Sequence, residues 1–149
     1  MKIGWVGIAL ISGMFIPVQA AMNAKMRAFM INPFYSVMVN FIIGVIALTV
    51  AIMITQLLQS PGNWRAGINA PWWAWCGGLI GAFYVLASVL VVPRTGAAGF
   101  SVAIISGQLF GALIVDHYGL FGLTERLISL PRIAGMIFLL AGLWLVQRD

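Results

Sequence analysis

Five stretches of this chain, Ile3–Met22, Phe34–Leu58, Trp72–Val92, Ala97–Val115 and Ile133–Val146, run without a single Lys, Arg, Asp or Glu. A helix rises 1.5 Å per residue, so roughly twenty apolar residues match a hydrocarbon slab about 30 Å thick. The first four stretches reach that length. Ile133–Val146 is the shortest, and Arg132 and Arg148 flank it, able to extend its reach by turning their guanidinium groups toward the headgroups. The pattern predicts an all-α, polytopic membrane helix bundle of five spans, forming one transmembrane domain over residues 1–149.

Composition agrees. Hydrophobic residues make up 62% of the 149 and charged residues only 7%, against roughly a quarter charged in an ordinary soluble domain. A water-facing surface cannot be assembled from so few charges, and no region is left for a separate soluble domain. The net charge of +5 comes from basic residues scattered singly between apolar runs. A nucleic-acid partner would need them clustered.

The connections carry breaker chemistry: Asn32-Pro33, Ser60-Pro61-Gly62-Asn63, Ala70-Pro71, Pro93-Arg94-Thr95-Gly96 and Pro131. Their shortness makes successive spans antiparallel. Trp64, Trp72, Trp73 and Trp75 crowd the start of the third span, where indole rings favour the headgroup boundary; Trp5 marks the same face and Trp144 the opposite one. Lys2, an apolar run and Val18-Gln19-Ala20 before Ala21 also have the form of a signal peptide with its cleavage site. The segment is read here as a permanent helix containing Pro17, tolerated where neighbours satisfy the freed carbonyl.

Polar groups in hydrocarbon are costly unless partnered, so the polar residues within the spans are the candidates for substrate contact. Six are singled out: Gln19 and Asn23, four apart beside Pro17, with Asn40, Tyr84, Ser106 and Gln108. Counting rise from the span ends puts Tyr84, Ser106 and Gln108 near mid-membrane, and Gln19 and Asn40 nearer the face that bears Lys25. The competing structural reading makes each of them an interhelical hydrogen bond worth about 0.6–2 kcal/mol. Amides, hydroxyls and aromatic faces together would suit a neutral, zwitterionic or bulky cationic ligand. Asp116, at the end of the fourth span beside His117, is the nearest candidate for a proton link, with a helix-end pair at the interface as the plainer alternative.

Small residues recur every fourth position at Gly99, Ala103, Gly107 and Gly111, with a second pair at Gly77 and Gly81. Such stripes let helix backbones approach closely in lipid. The fourth-span stripe is either packed within the subunit or is a dimer interface. One cysteine, Cys76, and one histidine, with three acids, give neither a disulfide framework nor a metal-ligand cluster. No nucleophile–base pair or phosphate-cradling loop is present, so the sequence gives no support to an enzyme or a bound cofactor.

Pro17-x-Gln19-Ala20-x-x-Asn23, Trp73 followed by Gly77-Gly78-x-x-Gly81, Pro93-Arg94-x-Gly96, and Gly107-Gln108 running on to Asp116-His117-x-Gly119 together resemble the YdcZ-like family. That family is a bacterial branch of the drug/metabolite transporter superfamily, related to its EamA-type five-helix units. The resemblance runs essentially end to end. It implies a secondary-active transporter of the bacterial inner membrane, in which five-helix units pair in inverted orientation. The glutamate that the superfamily's small multidrug exporters use in their first helix has no counterpart between Ile3 and Met22, so their exchange mechanism does not carry over.

With five spans, Lys2, Arg65, Arg126 and Arg132 fall on one face of the membrane and Lys25, Arg27, Arg94 and Arg148 on the other. Orientation follows the excess of Lys and Arg in short loops, and here there is none. The expected assembly is therefore an antiparallel homodimer inserted in both orientations, carrying a small organic metabolite or drug-like compound by alternating access. The alternative is a non-transporting scaffold or accessory subunit, which would more often show small residues and leucine with fewer central amides.

Overall fold

The computed structural model describes residues 2–57, 62–146 and 148. Four α-helices follow in order: α1 (Lys2–Met30), α2 (Pro33–Leu57), α3 (Gly77–His117) and α4 (Leu130–Val146), with short 3-10 turns at Trp64–Asn69, Trp72–Cys76 and Leu120–Gly122. Among the described residues, three apolar segments are long enough to cross a membrane: Gly4–Met30, Pro33–Leu57 and Trp72–His117. Leu130–Val146 is a shorter apolar helix. The expected end of the second span at Leu58 and the breakers Ser60 and Pro61 lie outside the described residues.

Two expectations about boundaries change. The first helix runs on past Met22 to Met30, because nothing between them breaks a helix. It ends where Ile31 turns to a positive φ of 62°. Asn32 then starts α2, its side-chain oxygen accepting from the Phe34 N–H at 2.9 Å, with Pro33 at the first helical position, where a missing N–H costs nothing.

The second change is at Pro93–Gly96. The sequence marks all four residues as a connecting turn, whereas the helix continues through Pro93, Arg94 and Thr95 and leaves helical geometry only at Gly96 (φ 71°, ψ 165°). That conformation is one L side chains rarely adopt, and glycine reaches it without a Cβ penalty. Proline fixes φ at a helix-compatible value; it costs the hydrogen bond it cannot donate and crowds the carbonyl four residues back.

The residues gather into two compact units. One comprises Ala20–Leu90. Its core is a cluster of Val37, Val85 and Val89 with Tyr84 and Leu86 packed against it, and a Cβ added at Gly81 would stand 3.8 Å from the Phe41 ring. The other comprises Met1–Gln19 and Val91–Asp149, and Val92, Phe100 and Leu113 are its buried apolar side chains. At its end Arg148 lies over the Trp144 ring at 4.0 Å, a cation–π contact of the kind that holds a guanidinium at a membrane interface.

The distribution of exposure is the reverse of a water-soluble protein's. On α2, Ile42, Val45, Ile46, Leu48 and Ile52 are all exposed, while Ser36 is buried. A face of that kind is stable only against an apolar solvent.

Candidate functional site

In the Ala20–Leu90 unit, α1 and α2 are joined through polar atoms. The Ser36 hydroxyl donates to the Asn23 carbonyl at 2.7 Å, and both residues are buried. The Asn23 side chain is 8% exposed, and its Nδ2 has no hydrogen-bond acceptor among the described residues. Leaving a buried donor unmatched costs about 1–3 kcal/mol, so Asn23 is the residue here whose structural role explains least. Asn40 and Tyr84 belong to the same unit, are half-buried, and have interactions of their own.

Arg27 has a separate task. Pro93 lacks an N–H, so the Val89 carbonyl one turn earlier loses its helical donor. The Arg27 guanidinium donates to that oxygen at 3.4 Å. Ser88, also buried, satisfies itself by donating to the Val85 carbonyl at 2.7 Å.

In the other unit, Gln19 is exposed and engaged in an interaction of its own. Ser106 is buried and donates to the Val102 carbonyl of its own helix at 2.9 Å, a common way for hydroxyls to be satisfied in membrane helices. Gln108 is exposed on the same helix. The six candidates thus divide evenly: Asn23, Asn40 and Tyr84 in one unit, Gln19, Ser106 and Gln108 in the other.

Asp116 is bound to Arg132 at 3.4 Å, both one-third exposed. Its backbone carbonyl accepts from the Arg126 N–H at 2.7 Å, which closes the loop after α3. His117 sets its ring edge-on to Tyr118, 4.8 Å between centroids. The Asp116–Arg132 pair stands in a groove of about 340 Å3 between α3 and α4, walled by Leu109, Leu113, Gly135 and Leu139. Arg132 was legible in the sequence only as a flanking charge. The signal for the pairing was there: opposite charges at the end of one apolar segment and the start of the next.

Of the small-residue stripe, Gly99 is buried, while Ala103, Gly107 and Gly111 are exposed. A Cβ added at Gly107 or Gly111 would meet nothing within 4 Å. No set of three or more His, Cys, Asp or Glu side chains able to hold a metal occurs among the described residues.

Long helices that expose apolar side chains and bury small polar ones define a multi-pass integral membrane protein. The family described as "Putative inner membrane exporter, YdcZ" matches residues 4–145. The chain therefore belongs to the YdcZ family of the drug/metabolite transporters, and it is a membrane transporter located in the inner membrane. It is similar to "Inner membrane protein YdcZ" of Escherichia coli (strain K12), with 29% identity over 113 residues that cover 76% of this chain and 74% of the relative. No solved structure matches it.

Proposed function

We propose that the chain is the five-span subunit of a secondary transporter that moves a small organic compound outward across the inner membrane, working as an antiparallel homodimer. The orphaned amide of Asn23 carries this reading. A buried donor without an acceptor is kept where a ligand supplies the acceptor, and intramembrane polar groups of this kind mark substrate paths. Asn23, Gln19, Asn40, Tyr84, Ser106 and Gln108 are the groups assigned to substrate contact, and they suit a neutral, zwitterionic or bulky cationic compound. Outward movement is supported by the family's description as an exporter.

The five-span reading is supported by Gly96. Trp72–His117 is 46 residues long, more than twice what one crossing needs at about twenty residues. The break at Gly96 separates residues 72–95 from 97–117, each about twenty residues and suited to one crossing. An odd number of spans leaves the termini on opposite faces. Two copies in opposite orientation then have a two-fold axis in the membrane plane, and each outward-facing state mirrors an inward-facing one, as alternating access requires. The open Gly107 and Gly111 face supports pairing through Gly99, Ala103, Gly107 and Gly111.

The test is flux. Purified protein in liposomes is loaded with a panel of amines, amino acids and neutral metabolites, with and without a pH gradient. Saturable movement of at least one compound above protein-free liposomes is expected. Leakage equal to protein-free liposomes across the panel contradicts the proposal. A gradient dependence lost in Asp116→Asn or His117→Gln would assign proton coupling to that pair.

A further inference from the structure

The groove between α3 and α4 has a chemical polarity that the residues assigned to substrate contact do not explain. Its charged groups, Asp116 and Arg132, stand at one end: the last turn of α3 and the first turn of α4. Its walls then run through Leu113 and Gly135 to Leu109 and Leu139, about 10 Å further along the helix axes at 1.5 Å per residue. Phe110, Ile137 and Phe138, on the same two helices, are exposed. A slot with a charged mouth and an apolar length has the form of a site for an amphiphile.

The charge pattern selects among amphiphiles. The pair makes one contact at 3.4 Å, with each residue one-third exposed. That contact engages a single guanidinium N–H of the five available, and one oxygen of the carboxylate. An anionic headgroup seated on Arg132 would also face Asp116, and a cationic one seated on Asp116 would face Arg132. A headgroup carrying both charges answers both, and arginine suits phosphate through its fork of donors.

We propose that this groove binds a zwitterionic phospholipid of the bilayer, phosphatidylethanolamine, with its phosphate on Arg132, its ammonium beside Asp116, and the start of one acyl chain along Leu113, Leu109 and Leu139. The ammonium matters because it donates hydrogen bonds to a carboxylate, which the quaternary ammonium of phosphatidylcholine cannot do. The source is the bilayer rather than a water-borne solute, because the groove lies between two helices whose large apolar side chains Phe110, Ile137 and Phe138 are exposed. At about 340 Å3 the groove holds the headgroup-proximal part of a lipid. The site is independent of the residues assigned to substrate contact.

The experiment uses the full chain in nanodiscs of phosphatidylcholine alone, or with a third of the lipid replaced by phosphatidylethanolamine or by phosphatidylglycerol. Melting temperature is measured in each, and native mass spectrometry of protein released from the mixtures reports which lipid is retained. Phosphatidylethanolamine is expected to raise the melting temperature by several degrees over both other compositions, and to be retained several-fold over phosphatidylcholine. Leu139→Trp fills the apolar wall and leaves the ion pair in place, and Arg132→Gln removes the phosphate ligand; both should abolish the increment. Equal melting temperatures in all three compositions would overturn the proposal, as would an increment kept by both variants. Equal stabilisation by phosphatidylglycerol would replace it with simple anion recognition. Loss of dimer in Leu139→Trp with no lipid dependence would assign the groove to a second copy of the chain.

Discussion

The Arg27 guanidinium donates to the Val89 carbonyl, the one carbonyl in α3 that Pro93 deprives of its helical partner. Val89 is wholly buried, so without Arg27 this oxygen would stand unmatched, at a cost of about 1–3 kcal/mol. A charge near the end of α1 is thereby tied to a helix break more than sixty residues away in sequence.

Arg27→Leu should therefore destabilise the protein by about 1–3 kcal/mol in denaturant unfolding in detergent. Pro93→Ala restores an N–H to the Val89 carbonyl, so Arg27→Leu should cost at least about 1 kcal/mol less in that background. Strict additivity in the double-mutant cycle would show that the Arg27 contact has no part in compensating the proline.

Gly119→Ala should be costly for a backbone reason. Gly119 has a φ of +56°, and a Cβ there would stand 3.0 Å from the Leu123 carbonyl oxygen. A left-handed conformation costs an L residue about 1–2 kcal/mol, and the close oxygen adds to it. A melting temperature unchanged from wild type would contradict this account of the loop.

Gly107→Leu separates the two readings of the small-residue stripe. A Cβ there would meet nothing within 4 Å, so folding yield should be normal while chemical cross-linking shows loss of dimer. Close backbone approach is what holds helices together in lipid, and a leucine denies it. A mutant as dimeric as wild type would remove this face from the interface.

Much of the fold was legible in the sequence because an apolar solvent leaves a coarse signature. Charge-free runs marked the apolar lengths of the helices, and Asn32-Pro33 marked the break before α2. What was not legible depended on partners distant in sequence. Pro93 reads as a stop until Arg27 is seen on the Val89 carbonyl. Asp116 reads as a partner for adjacent His117 until Arg132 is seen beside it. Ser36 carried no signal of its own, since nothing local says its hydroxyl reaches the Asn23 backbone.

Dual insertion should be visible directly. Fusions at the C-terminus to one reporter active only in the cytoplasm and to another active only outside it should give comparable signals if, as proposed, five spans divide Lys and Arg equally between the two faces. Adding one or two Lys residues after Asp149 should then swing the population to one orientation. Strong signal from a single reporter would refute the antiparallel dimer.

The most direct test of substrate transport through the embedded polar groups is flux and stability measured together on Asn23→Leu. The residue is buried with an unmatched Nδ2, so leucine removes a donor that has no acceptor among the described residues. Melting temperature equal to or above that of wild type is expected, with transport in proteoliposomes reduced at least about tenfold, a loss of about 1.4 kcal/mol of transition-state stabilisation. Gln108→Leu should behave in the same way. Undiminished flux in both variants would contradict the assignment of these amides to the substrate path.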